Sequence, residues 1–192
     1  MDLKAFFATE LDQHRAVLAA TRDALEEPFG HLVAACLAAV RGGHVIALFG
    51  NGGSAADAQH LATELTVRYK RDRAPIAAIA LTTDSSALTA IGNDFGFDDV
   101  FARQVEALVR PGDVVIAIST SGNSENVIRG LAAARAKGAV AAGLTGRDGG
   151  RMVGAAEPLL IVPSDDTARI QEMHITLGHM LCGALEEELA AS

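Results

Sequence analysis

The chain has 192 residues, of which 49% are hydrophobic, and its formal net charge is −8. That length suits one domain with a substantial buried core, so residues 1–192 are expected to form a single domain. The negative charge and an aromatic content of only 4% argue against nucleic acid or an anionic membrane as a partner. They do not exclude a phosphorylated ligand, because backbone N–H groups and hydroxyls bind phosphate locally.

The start of the chain and its two cysteines indicate the compartment. Residues 1–12 contain acidic side chains and no apolar segment of the signal-peptide type, and no apolar run approaches membrane-spanning length. Cys36 and Cys182 lie in helical patterns without the spacing of a zinc site or a disulfide framework. Two buried thiols in a reducing compartment are therefore expected, and the protein is predicted to be cytoplasmic.

Two helices are predicted ahead of the first strand. Apolar residues recur at helical spacing from residue 2 to about residue 25, and Glu26-Glu27-Pro28 then interrupts the pattern. A second helix is predicted over residues 31–41. Residues 1–42 are thus expected to form a helical hairpin whose apolar face packs on the sheet or on another subunit.

Five apolar runs alternate with helical patterns through the rest of the chain. The predicted strands are residues 44–49, 75–81, 114–118, 140–144 and 159–162, and a long last helix is predicted over residues 167–188. Strands that alternate with helices form a parallel sheet, so the predicted fold is α/β, a doubly wound five-stranded parallel sheet of the flavodoxin-like kind. In such sheets ligands bind beyond the carboxyl ends of the strands.

A glycine-rich stretch, GNGGS at residues 50–54, follows the first predicted strand. Glycine permits a sharp turn, and Ser54 can cap a helix whose free N–H groups attract phosphate. In that helix His60 and Glu64 stand four residues apart on one face, where they can share a metal ion or a substrate proton. A turn without a ligand and a solvated His/Glu pair are the alternatives, and the weak match to a dinucleotide loop lacks its acidic partner at the required spacing.

A second polar loop, STSGNS at residues 119–124, follows the third predicted strand. Hydroxyls packed around a glycine at a helix N-terminus can surround a phosphate group with O–H and N–H donors. The lysine of a P-loop is absent, which argues against nucleotide hydrolysis. A hydroxyl-rich helix cap without a ligand is the alternative at this point.

Two further stretches carry candidate polar residues. Asn93 and Asp94 lie in a predicted polar loop, where they could equally be turn residues. On the last predicted helix Gln171 and His179 share one face, whereas His174 lies off that face and is expected to be structural. Polar groups on a mostly apolar helix require a partner, and the histidine and glutamate of the earlier helix are candidates.

Together these stretches resemble the sugar isomerase (SIS) domain proteins, and within them the bacterial sedoheptulose-7-phosphate isomerases, also called phosphoheptose isomerases. The resemblance covers nearly the whole chain. It rests on GNGGS with His60 and Glu64, on GNDFG at residues 92–96, on STSGNS, on TGRDGG at residues 145–150, and on RIQEMH at residues 169–174 with His179. The serine loop marks SIS domains generally, whereas the His, Glu and Gln set is specific to the isomerases.

The resemblance implies a homotetramer with active sites between subunits, zinc as the cofactor and a phosphorylated sugar as the substrate. The implied zinc ligands are His60, Glu64, Gln171 and His179, and the implied acid/base pair is Glu64 and His179. The implied substrate contacts are Asn51, Gly52, Gly53, Ser54, Glu64, Asn93, Asp94, Ser119, Thr120, Ser121, Ser124 and Gln171. One departure from the family pattern is Ala168, where related enzymes commonly place an aspartate.

The family reaction converts sedoheptulose 7-phosphate to D-glycero-D-manno-heptose 7-phosphate, which feeds heptose units of lipopolysaccharide or other glycoconjugates. Two other functions compete with this reading. One is a non-catalytic SIS module that binds a sugar phosphate or a partner protein, and the other is an isomerase of a different phosphorylated ketose. The retained His, Glu and Gln set argues against the first, while the recognised loops do not set the length of the sugar chain.

Overall fold

The computed structural model describes residues 1–190 and contains one sheet of five parallel strands. The strands are β1 (Ile46–Gly50), β2 (Ala78–Ala80), β3 (Val114–Ser119), β4 (Val140–Gly146) and β5 (Leu159–Val162). Their order across the sheet is β2-β1-β3-β4-β5, and every neighbouring pair is parallel. This is the flavodoxin-like order, so the predicted five-stranded, doubly wound α/β sheet is confirmed.

Helices cover both faces of the sheet. They are α1 (Leu3–Arg41), α2 (Gly53–Thr66), α3 (Ser85–Asp94), α4 (Ala102–Leu108), α5 (Glu125–Ala136) and α6 (Thr167–Ala190), with short 3₁₀ turns at Phe97–Asp99 and Gly150–Met152. Ile46 and Leu48 point into a core shared with α1, α2 and α6, whereas Ala47 and Phe49 point into a second core with α4 and α5. The two cores follow from the alternation of side chains along a strand that is buried on both faces.

The amino-terminal hairpin prediction is wrong, because residues 3–41 form one continuous helix with Pro28 inside it. Proline lacks an N–H donor and normally breaks a helix, which is why the sequence pattern indicated two helices. The buried side of α1 nevertheless continues past Pro28 through Leu25, Leu32 and Cys36. Burial of these side chains against the sheet and α6 offsets a propensity cost of about 3 kcal/mol for an interior proline.

The carboxyl ends of β1 and β3 lie side by side at the point where the strand order reverses. From β1 the chain turns into α2, which packs in the first core, and from β3 it turns into α5, which packs in the second. The two following loops therefore leave the sheet toward opposite faces and open a crevice between them. Ligands bind at such a crevice in doubly wound folds.

Two further expectations concern the membrane and the thiols. None of the helices within residues 1–190 is long and apolar enough to cross a membrane. Cys36 and Cys182 are free and buried, as predicted. Burial raises the pKa of each thiol to about 12, so neither is a reactive thiolate at neutral pH.

Candidate active site

Two helix N-termini face the crevice between β1 and β3. Helix α2 begins after Gly52, which has φ 56° and ψ −120°, a conformation that favours glycine. Helix α5 begins after Ser124. Neither N-cap residue uses its side chain to cap its helix, so the first-turn N–H groups at both ends face the crevice without a side-chain cap. Each carries the partial positive charge that favours an anion.

The predicted phosphate loop places its hydroxyls around this crevice. Ser119 is the last residue of β3 and is buried, and its Oγ lies 3.5 Å from Oγ of Ser124. Thr120 and Ser121 are half-buried. The Ser121 hydroxyl accepts a hydrogen bond from the N–H of Asn123 at 3.2 Å, which closes the turn. Several hydroxyls therefore line one side of the crevice, as a phosphate-binding loop requires.

The glycine-rich loop is tied to the serine loop by two amide side chains. Nδ2 of Asn51 donates to Oδ1 of Asn126, and Nδ2 of Asn126 donates to Oδ1 of Asn51, each at 2.9 Å. Asn126 lies in the first turn of α5 and is buried. Asn126 was not predicted as a site residue, and its only sequence signal was its place as a polar residue near a helix start beside the serine loop.

The predicted acid/base residues Glu64 on α2 and His179 on α6 both lie close to His60. Nε2 of His60 lies 2.8 Å from Nε2 of His179, so one ring donates a hydrogen bond to the other. Oε1 of Glu64 lies 3.6 Å from Nε2 of His60, and the Glu64 side chain is 20% exposed. The three side chains come together within one chain, as the sequence pattern indicated.

Two residues that the sequence analysis missed border this cluster. The ring of Tyr69 stacks on that of His179, with centroids 5.3 Å apart and planes 21° from parallel. Asp57 lies one turn before His60 on α2; burial raises the pKa of its carboxyl, while His60 and His179 act in the opposite direction. Tyr69 is the only tyrosine of the chain, which was the one sequence signal available for it.

Helices α2 and α6 run side by side in the same direction. Residues early in α2 therefore contact residues early in α6, and later residues contact later ones. A Cβ added to Gly53 would lie 2.7 Å from Nε2 of Gln171, and one added to Gly178 would lie 2.5 Å from Cδ1 of Leu61. The amide of Gln171 therefore lies at the start of α2, and the His60 and His179 pair lies farther along. Seven residues of α-helix separate Gly53 from His60, which is about 10 Å along the axis.

The donor atoms of the histidine cluster suit zinc. Two imidazole nitrogens and a carboxylate oxygen are ordinary zinc ligands, and the lone pair that accepts the hydrogen bond between the two rings is the one a metal ion would use. Within residues 1–190, no group of three or more His, Cys, Asp or Glu side chains has an arrangement that could hold a metal ion. Since the Gln171 amide lies against Gly53, the four-ligand zinc set stays a prediction.

The remaining predicted contacts lie in the first turn of α6 and the last turn of α3. Asn93 and Asp94 belong to α3 rather than to a loop, because the helix continues past Gly92. Both are exposed, and Nδ2 of Asn93 donates to Oδ1 of Asp94 at 2.7 Å. Ala168 is exposed in the first turn of α6. Their roles toward a substrate stay predictions.

His174 is structural, as expected. It is fully buried, and its Nε2 donates to the carbonyl oxygen of Thr145 at 3.0 Å, which joins α6 to β4. Burial lowers the pKa of its imidazole to about 4, partly opposed by that hydrogen bond. The ring is therefore neutral at pH 7.

Comparison with known proteins agrees with this geometry. The chain matches the family model of the SIS domain over residues 11–146, and it is an SIS domain protein. It is 60% identical over 184 residues to the phosphoheptose isomerase of Paramagnetospirillum magneticum, which is 94% of this chain and 96% of that protein. The chain belongs to the phosphoheptose isomerase family.

Solved structures of the family have the same fold. A phosphoheptose isomerase from Neisseria gonorrhoeae superposes with a TM-score of 0.91 at 45% identity, and the match covers 96% of this chain and 99% of that one. A phosphoheptose isomerase from Francisella tularensis superposes with a TM-score of 0.93 at 32% identity, over 97% and 100% of the two chains. Almost the whole chain thus falls within the matched part.

Proposed function

We propose that this isomerase converts sedoheptulose 7-phosphate to D-glycero-D-manno-heptose 7-phosphate in the cytoplasm, for lipopolysaccharide or other glycoconjugates. The observation that carries the proposal is the pairing of His60 with His179 beside Glu64, between α2 and α6, in a chain that also carries the serine loop at the start of α5. The first group suits proton transfer, and the second suits binding of a phosphate. Membership of the phosphoheptose isomerase family supports the same substrate.

Aldose–ketose isomerisation moves a proton between C1 and C2 through an enediol and also moves protons on the two oxygens. A carboxylate suits the carbon-bound proton, and an imidazole can both donate and accept a proton at oxygen. Glu64 and His179 supply these two groups. The hydrogen bond from His60 and the stacked ring of Tyr69 restrict the orientation of the His179 imidazole.

A zinc ion is proposed as the cofactor, with His60, Glu64, Gln171 and His179 as the residues that would hold it. Bound zinc supplies Lewis-acid polarisation of a carbonyl oxygen. Its binding requires neutral imidazoles with free nitrogen lone pairs, so the hydrogen bond between His60 and His179 would have to open. Gln171 must turn its amide away from Gly53 to join the set.

A homotetramer is proposed because α1 leaves a large apolar surface without a partner inside the chain. Its exposed apolar side chains are Leu3, Phe6, Phe7, Leu11 and Leu18. A groove of about 550 Å³ lies between α1 and α6, with Phe29 and Met180 among its lining residues. Exposed apolar patches of this kind mark interfaces, and further copies of the chain would cover them.

The isomerase is favoured over the binding module because His60, His179 and Glu64 lie together and the chain belongs to the phosphoheptose isomerase family. The other phosphorylated ketose stays as the competing substrate, since phosphate and C1–C2 chemistry are common to both. Incubation with sedoheptulose 7-phosphate and zinc in D₂O, followed by NMR, tests the proposal. We expect the aldose product with deuterium at C2; binding of the sugar without product or exchange contradicts an isomerase of this substrate.

A further inference from the structure

Asn51 and Asn126 form a reciprocal pair of hydrogen bonds between the two loops of the crevice. We propose that Asn126 is a positioning residue which, through Asn51, sets the spacing of the α2 and α5 N-termini for the phosphate group of the substrate. The inference rests on the proposed function, because it assigns the crevice to a phosphate. It gives Asn126 a role although its side chain is buried away from solvent.

The pairing joins two loops beyond the ends of the paired strands β1 and β3. Asn51 and Asn126 are 75 residues apart, and each uses both its amide oxygen and its amide nitrogen in the pair, at 2.9 Å. Asn126 is 3% exposed, so no bulk water replaces a lost partner. Loss of either partner leaves the other amide buried without a hydrogen bond, which costs its full desolvation free energy. Removal of one asparagine is therefore expected to have the same effect as removal of both.

Electrostatics explains why a neutral pair is needed at this position. The N-termini of α2 and α5 both carry partial positive charge, so they repel each other in the absence of an anion. A carboxylate between them would relieve the repulsion but would also compete with the substrate phosphate. Two amides hold the helix ends together without adding a charge. The N–H groups of Ser54 and Val127 already donate to the carbonyl oxygens of Asn51 and Ser124, so the ligand would meet the remaining first-turn N–H groups.

The pair also changes the role of Asn51. The pair uses the side-chain oxygen of Asn51 and one of its two amide N–H groups, so one N–H group is left for the sugar phosphate. Position 51 then acts in two ways, since it fixes the loop through Asn126 and keeps one donor for the ligand. An independent substrate contact and a positioning pair make different predictions for a double variant.

The test is a double-mutant cycle with Asn51→Ala, Asn126→Ala and both together. Affinity for inorganic phosphate is measured by calorimetry, and KM and kcat are measured with sedoheptulose 7-phosphate. Each single change is expected to weaken phosphate binding and raise KM about tenfold, with kcat within a few-fold of wild type, because a misplaced loop loses binding. The double variant is expected to match the single variants, since the pair is already broken in each.

The inference would be overturned if the losses of phosphate affinity in the two single variants multiplied in the double variant. An unchanged phosphate affinity in Asn126→Ala would overturn it too. Gln104→Ala is the matched control: this buried amide donates to the carbonyl oxygens of Leu81 and Val100, outside both loops. It should lower the melting temperature and leave phosphate affinity unchanged. Equal loss of affinity in the control would reduce the role of Asn126 to general stability and overturn the inference.

If Asn126→Ala does not fold, the cycle is run with Asn126→Leu, a neutral side chain of similar size that removes both hydrogen bonds. It adds no charge beside the phosphate, so the coupling still reports the pair. A different result would contradict the proposed substrate. A wild type that binds phosphate but does not isomerise the sugar overturns the function, while the phosphate cycle still decides the role of Asn126.

Discussion

At the scale of single residues, the site depends on side chains that restrict one another. His179 contacts His60 through its Nε2 and Tyr69 through its ring face, so its imidazole has little freedom to rotate. Glu64 is close to His60 but is not hydrogen-bonded to it at 3.6 Å. The carboxylate is therefore available to a substrate, while the imidazole is held in place for it.

The acid/base assignment predicts a loss of turnover without a loss of fold. Glu64→Gln or His179→Gln is expected to lower kcat by about 10²-fold or more, the usual contribution of general acid–base catalysis. Zinc content is measured on the same variants, because metal loss would also weaken binding. Wild-type turnover in either variant would show that the assignment is wrong.

The phosphate assignment predicts the opposite kinetic pattern for the serine loop. The double change Ser119→Ala and Ser121→Ala is expected to raise KM strongly and to change kcat little, because hydroxyls around a phosphate contribute binding in both ground and transition states. Steady-state kinetics over a wide substrate range measures both constants. An unchanged KM would show that this loop does not bind the phosphate.

The sequence predicted the site residues that form a local pattern, and it indicated His179 as a partner of His60 because a polar residue on a mostly apolar helix requires one. His60 with Glu64, and Ser119 with Ser124, follow from helix spacing and from one loop. Asn126 and Tyr69 escaped, because each acquires its role only through a contact with a residue far along the chain. Local periodicity carries no information about such contacts, so a buried asparagine or a single tyrosine could not be distinguished from an ordinary one.

At the scale of elements, the connection after α2 is held by a buried carboxylate of α6. Glu186 is 3% exposed and accepts hydrogen bonds from the backbone N–H groups of Tyr69, Lys70 and Arg71, at 2.8 to 3.1 Å. Burial by itself would raise the pKa of Glu186, but these three donors and the nearby Arg73 lower it below its usual value. The carboxylate is thus charged at neutral pH and fixes Tyr69 against His179.

Removal of that charge should loosen the connection. Glu186→Gln is expected to lower the free energy of unfolding by about 2 kcal/mol, because it weakens several hydrogen bonds to a charged acceptor. Displacement of Tyr69 should also reduce kcat while phosphate affinity is kept. Glu187→Gln is the control, since this exposed neighbour pairs with Arg71 at the surface and contributes little. Equal effects of the two changes in denaturant titration and in kcat would contradict this role.

The elements themselves show where sequence patterns fail. All five strands were predicted, because apolar runs between polar loops mark buried parallel strands directly. Helix α1 was divided in two because a proline argues locally for a break, whereas the burial of Leu25, Leu32 and Cys36 that keeps it whole is a tertiary effect. Helix α3 extended beyond Gly92 for a related reason, since a single glycine costs only about 1 kcal/mol in a helix.

At the scale of the whole molecule, a buried neutral histidine makes stability depend on pH. The pKa of His174 is about 4 in the folded state and about 6.5 when unfolded, so the unfolded chain binds the proton more readily. The contribution of His174 to stability is complete above pH 6.5 and is lost as pH falls toward 4. The loss should approach about 3 kcal/mol.

Denaturant titrations at pH 7 and pH 4.5 measure that loss. His174→Gln keeps a donor for the Thr145 carbonyl but has no proton to gain, so its stability should change less between the two pH values than that of the wild type. The comparison within each protein cancels the carboxylates that both share. Identical pH dependence of the two proteins would show that His174 is not responsible.

The side-by-side course of α2 and α6 gives the active site a fixed length. Gln171 meets the start of α2 at Gly53, and His179 meets it at His60, about 10 Å farther along the axis. A sugar whose phosphate is bound at the helix start must extend its C1 and C2 carbons along that distance to reach Glu64. An extended seven-carbon chain has this reach, whereas a five-carbon ketose phosphate stops two carbons short. We expect the shorter sugar to inhibit through its phosphate group without being isomerised, and competition kinetics with the two sugars would measure how strictly the helix pair selects chain length.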